Sequence, residues 1–106
     1  MSERDTERRE MRNTLLRITR IQENGSPVTL RLQGKIVGEW VTLLEQECRT
    51  TIQREERVVL DFGGVTYIDP RGLGMIRNLP VRRVTIINAP AFIGDLMQAG
   101  GRPWSR

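Results

Sequence analysis

Two aspartates, Asp61 and Asp69, lie in the stretch VVLDFGGVTYIDPRGLG at residues 58–74. Paired carboxylates are tools of general acid–base chemistry, one donating a proton while the other accepts. Here each has a simpler role. Asp61 closes an apolar run, and Asp69 precedes Pro70, a helix start in which the carboxylate caps free N–H groups and proline takes the first turn. Catalysis is not expected of them. Gly72-Leu73-Gly74 is a fragment of a nucleotide-binding loop. Arg77 stands where the third glycine belongs, and the strand-to-helix turn is read earlier, at Gly63 to Asp69. Those glycines are read instead as tight helix-to-sheet packing, with close approach of a partner as the alternative.

Other chemistries fail on composition. There is no histidine, so neither Ser-His-Asp nor Cys-His nucleophile pairs can form, and one cysteine leaves zinc without ligands. No metal or cofactor is expected. Cys48 lies on an apolar helical stripe and reads as a small core residue rather than a reactive thiol. It also precludes an internal disulfide, which fits a reducing cytoplasm. No apolar run reaches the length of a membrane span, and MSERDTERRE lacks the apolar segment of a secretion signal.

Charge is uneven. Residues 1–70 carry 11 basic and 12 acidic side chains, whereas residues 71–106 carry six arginines and one acid, Asp95. A basic last third can favour nucleic acid or acidic partners. Arginine outnumbers lysine sixteen to one, however, which points to compositional bias. The arginines also lack interleaved aromatics for stacking on bases, so nucleic-acid binding is the least favoured reading.

The elements that position Asp69 follow from periodicity. Residues 1–13 alternate acids and bases with little to bury and read as a disordered tail. Met11 is an alternative start. Leu15–Gln22 and Val28–Gly34 alternate around a turn at Asn24-Gly25 and form a hairpin near a sheet edge, with one wet face. Gly34 to Gly38 reads as a connection. A helix from Glu39 to about Gln53 aligns Trp40, Val41, Leu44, Cys48 and Ile52. Val58 to Phe62 reads as a central strand buried on both faces, broken at Gly63-Gly64. A short helix follows from Pro70 to about Leu79, ended by Pro80. Val81–Asn88 is another strand, and a last helix carries Phe92, Ile93, Leu96 and Met97 on one stripe. Residues 100–106 read as a loose tail, with docking of Trp104 on the body as the alternative. The fold expected for residues 14–99 is α/β in the order ββαβαβα, a four-stranded mixed sheet with helices packed on it.

The strand VVLDF, the following VTYID, and Gly72 just beyond Pro70 resemble the STAS domain of anti-sigma-factor antagonists and sulphate transporters. LRLQGKIVG is similar to that family's second strand and glycine-containing connection. The resemblance spans roughly Leu15 to Met97. It implies a small, non-enzymatic cytoplasmic module that regulates by docking partner proteins at the corner formed by Asp69, Pro70, Arg71, Gly72, Leu73, Ile76 and Arg77. Leu73 and Ile76 would give apolar contact or anchoring, and Arg71 and Arg77 a charged rim. The partner would be an anti-sigma factor or similar kinase. Alternatively it would be the ATPase of a lipid-transporting ABC transporter, with this chain as accessory subunit. No small-molecule substrate is implied, and pairing of two copies stays open.

In the anti-sigma antagonists a serine or threonine lies between the aspartate and the glycine and is phosphorylated to abolish docking. Here Pro70 and Arg71 fill those positions, so no phosphoacceptor exists at the motif. Thr66 is the nearest hydroxyl, and a strand threonine with a satisfied hydroxyl is its favoured reading.

Overall fold

The computed structural model describes residues 7–12 and 15–98, with side chains from residue 15 to residue 95. Among the described residues the elements are β1 Glu7–Arg12, β2 Leu16–Gln22, β3 Val28–Ile36, α1 Glu39–Glu55, β4 Val58–Ile68, α2 Pro70–Arg77, β5 Val84–Ile87 and α3 Ala91–Gln98. The strands lie in chain order across one sheet. The β2–β3 pair is antiparallel, whereas β3–β4 and β4–β5 are parallel. Parallel neighbours require crossover connections, supplied by α1 and α2. The expected ββαβαβα order and four-stranded mixed sheet are therefore present as β2 to α3. No described helix is long and apolar enough to cross a membrane.

The sheet has one strand more than expected. Glu7–Arg12, assigned from sequence to a charged tail, pairs antiparallel with β2 from Glu7↔Gln22 to Arg12↔Arg17. An edge strand gains its stability from ladder hydrogen bonds and tolerates charge, so low hydrophobicity alone does not exclude it. The other residues of the two expected tails, 1–6, 13 and 100–106, lie outside the described residues.

Alternation explains the layering. In β3, Val28, Leu30, Leu32 and Ile36 are buried while Arg31, Gln33 and Lys35 are exposed. In β4, Val58, Leu60 and Phe62 are buried while Val59 and Asp61 are only half-buried. The expectation of burial on both faces is thus corrected: Val59 completes an apolar run but belongs to the outer face. The inner residues join Val41, Leu44, Cys48 and Ile52 of α1, Met75 and Ile76 of α2, and Ile93 of α3 in one core, against which Trp40 packs half-buried. Phe92 stays exposed, and the side chains of Leu96 and Met97 fall outside those described.

Gly63-Gly64 does not break β4, which runs on to Ile68. The register passes from Arg31↔Asp61 to Gln33↔Gly64, so Phe62 and Gly63 oppose Leu32 alone. It slips again between Gly34↔Val65 and Lys35↔Tyr67, leaving Thr66 as the extra residue. These bulges move the buried phase from Phe62 to Val65 and then to Ile68. A Cβ at Gly64 would come 3.1 Å from the Leu32 carbonyl oxygen and closer still to the Gln33 side chain.

Gly34, Lys35 and Ile36, expected in a connection, extend β3 instead. Gly34 has φ +110°, and a Cβ there would collide with the Leu15 carbonyl oxygen, which accepts from the Lys35 N–H at 2.7 Å. At the other end, α2 stops at Arg77, and β5 is four residues rather than eight. The Arg83 N–H donates to the Pro80 carbonyl at 2.9 Å, turning the chain before the strand begins.

Candidate functional site

Asp69 caps α2 as the sequence implies. One carboxylate oxygen accepts from the Gly72 N–H at 2.7 Å, and its backbone carbonyl accepts from the Leu73 N–H at 2.9 Å. Its reach extends beyond its own helix. The second carboxylate oxygen accepts from the Gly38 N–H at 3.1 Å, where Gly38 is the N-cap residue of α1. The Asp69 N–H in turn donates to the Ile36 carbonyl at 3.1 Å. One residue therefore fixes the end of β3, the start of α1 and the start of α2 relative to one another. Two helix N-termini converge on its charge, the arrangement their dipoles favour.

The corner built on this tie has a buried floor and an exposed rim. Gly72 is buried against β3 and β4; a Cβ there would stand 2.9 Å from Ile68 Cγ1 and 3.0 Å from Ile36 Cγ2. Tight packing explains this glycine. Gly74 meets nothing within contact range and leaves open space on the helix surface. Pro70 and Arg71 are exposed, Leu73 is half-buried against the core, and Arg77 is half-buried. Ile76 is fully buried. Of its two expected roles, contact or anchoring, only anchoring is open to it.

Asp61 belongs to a different corner. Its carboxylate accepts from the Gly63 N–H at 2.9 Å and the Asn88 amide at 3.1 Å, and lies 3.8 Å from Arg31. It ties the bulge of β4 to the residue after β5, so the two aspartates share no site. Thr66 is exposed, and its hydroxyl donates to the Gly34 carbonyl at 3.3 Å. Burial pushes the Cys48 thiol up to about 12, which removes thiolate nucleophilicity near neutrality. No group of three or more metal-ligating side chains occurs among the described residues. Within the basic last third, Arg71, Arg82 and Arg83 are exposed, whereas Arg102 and Arg106 lie outside the described residues.

Two surface residues next to this corner escaped the sequence reading. Lys35 and Tyr67 are register partners on the outer face of β3 and β4, both exposed. Simple alternation could not find them, because two bulges intervene between Asp61 and Tyr67.

Comparison with known proteins agrees with this geometry. A family model described as "Mlab, STAS domain" matches residues 19–101. Among solved structures, the anti-sigma factor antagonist SpoIIAA in its unphosphorylated form is similar, with a TM-score of 0.63 and 22% identity over 84% of this chain and 85% of that one. At that identity the likeness speaks for the fold. No curated protein matches the sequence. The strand order, the capped α2 and the family match over most of the chain lead to one conclusion: this protein belongs to the STAS domain family.

Proposed function

We propose that this protein is a non-enzymatic regulatory module of the cytoplasm that docks a partner protein through the corner at Asp69 to Arg77, without a phosphorylation switch at the motif. One observation carries the reading. A rigidly tied helix start presents the exposed pair Pro70-Arg71, a cation and no hydroxyl, between Asp69 and Gly72. A fixed scaffold with an exposed charged tip suits protein recognition, where charge selects partners and steers encounter. Pro70, Arg71 and Leu73 make the contact surface with Arg77 at its margin, while Asp69, Gly72 and Ile76 hold it in shape. Interaction with an anti-sigma factor or a related kinase is supported by the likeness to SpoIIAA.

A second reading is favoured by the family match, whose description names Mlab rather than the anti-sigma antagonists. Here the same corner seats on the ATPase of a lipid-transporting ABC transporter. Capture from extract of the native cell, comparing wild type with Arg71→Glu, separates the readings. A kinase-like or sigma-regulating protein lost with the variant supports the first, and a transporter ATPase supports the second. A capture pattern indifferent to Arg71 contradicts both.

A further inference from the structure

Strand β5 pairs only with Val58–Asp61, so the distal part of β4 continues beyond it as a ribbon with β3. This ribbon leads into Asp69 and carries Lys35 and Tyr67 side by side. Tyr67 is 48% exposed, two residues before the half-buried helix cap Asp69. An exposed aromatic ring offers much contact area at little entropic cost, the type of residue that anchors interfaces. Among the described residues, neither Lys35 nor Arg71 forms an ion pair. Asp69 keeps its charge but directs both oxygens to the N–H groups of Gly38 and Gly72, and Glu39 lies in the first turn of α1.

We propose that the docking surface continues from α2 over the β3–β4 ribbon, with Tyr67 beside Lys35 as its aromatic anchor and Arg71 at the start of α2, and that it receives an acidic segment of the partner protein. Charge complementarity selects that occupant: Lys35 beside the half-exposed ring, and Arg71 four residues further along the chain, are cations without an ion pair among the described residues. A nucleic-acid strand would require basic residues tracking a backbone and further rings for successive bases, and the outer face around Lys35 instead presents Gln33, Gly64 and Asp61. This inference rests on the corner being a docking surface, and its test separates the two.

A photoreactive benzophenone amino acid is introduced singly at positions 67, 71 and 85 of the full chain in the native cell, and cross-linked peptides are mapped. Positions 67 and 71 are expected to capture the same protein, with position 67 reporting a Glu- or Asp-rich segment, while position 85 captures nothing in common. Titration of that protein is expected to weaken about tenfold for Tyr67→Ala and for Lys35→Glu, with unchanged melting temperature. Cross-links from position 67 to nucleic acid or lipid, to a non-acidic segment, or to nothing while position 71 captures a protein, would overturn this inference and leave the corner intact. Absence of protein cross-links at both positions would remove the docking corner and the inference together.

Discussion

At the residue scale, Asp69 and Gly72 show how little material builds the corner. Asp69→Ala deletes two hydrogen bonds and takes the side-chain acceptor from the Gly38 and Gly72 N–H groups at the starts of two helices. A loss of about 1–2 kcal/mol in denaturant-measured stability is expected. Asn, which keeps an acceptor, is expected to recover part of that loss. Gly72→Ala drives a methyl group into Ile68 and Ile36 and is expected to cost about 1–3 kcal/mol by overpacking. Gly34→Ala adds a disallowed φ to a collision with backbone and is expected to cost about 2–3 kcal/mol, measured in the same way.

Cys48 makes a pH prediction. Its thiol is pushed up to about 12 in the folded protein, largely by burial, against an ordinary value of 9.0. The folded state therefore holds a proton that the unfolded chain releases first. This contribution is fully present below about pH 9 and is lost as pH rises toward about 12. Cys48→Ala removes the titration, so its stability is expected to decline less steeply over that window than wild type. Equal slopes would contradict the assignment.

At the element scale, the strongly periodic pieces were legible and the irregular ones were not. Helix α1 declared itself through Val41, Leu44, Cys48 and Ile52, and the β2–β3 hairpin through its alternation and the Asn24-Gly25 turn. The Asp-Pro pair marked the start of α2 to the residue. Strand β4 was misread at Gly63-Gly64 because two glycines signal a turn when seen alone. In the sheet they admit a bulge that continues the strand with its phase shifted. Strand β1 was hidden for another reason: its residues carry no apolar pattern, and its ladder with β2 is a backbone feature. Its role is to cover the edge of β2. Deleting residues 1–12 is expected to leave the helical core folded while exposing that edge, so that light scattering reports concentration-dependent association. A strictly monomeric truncated protein would show that β2 is protected by other means.

At the scale of the whole molecule, among the described residues the sheet packs one face against three helices, and the strand–helix connections meet at Asp69, where the candidate site lies. The candidate site was legible there as a motif position, with Pro70-Arg71 standing where relatives of the resembled family carry a hydroxyl. Its division into floor and rim was not. Ile76 and Leu73 look equivalent in sequence, yet packing buries the first completely and leaves the second half-buried against the core. Under the proposed function, the consequence is a docking corner that carries the Arg71 charge permanently, with Pro70 and Arg71 and no hydroxyl between Asp69 and Gly72. Isothermal titration of the captured partner against wild type and Arg71→Glu tests this most directly. The account predicts affinity at least about tenfold weaker for the variant, with an unchanged melting temperature, because a reversed charge at the exposed tip opposes an acidic contact without disturbing the fold. Equal affinity for the two proteins would contradict it.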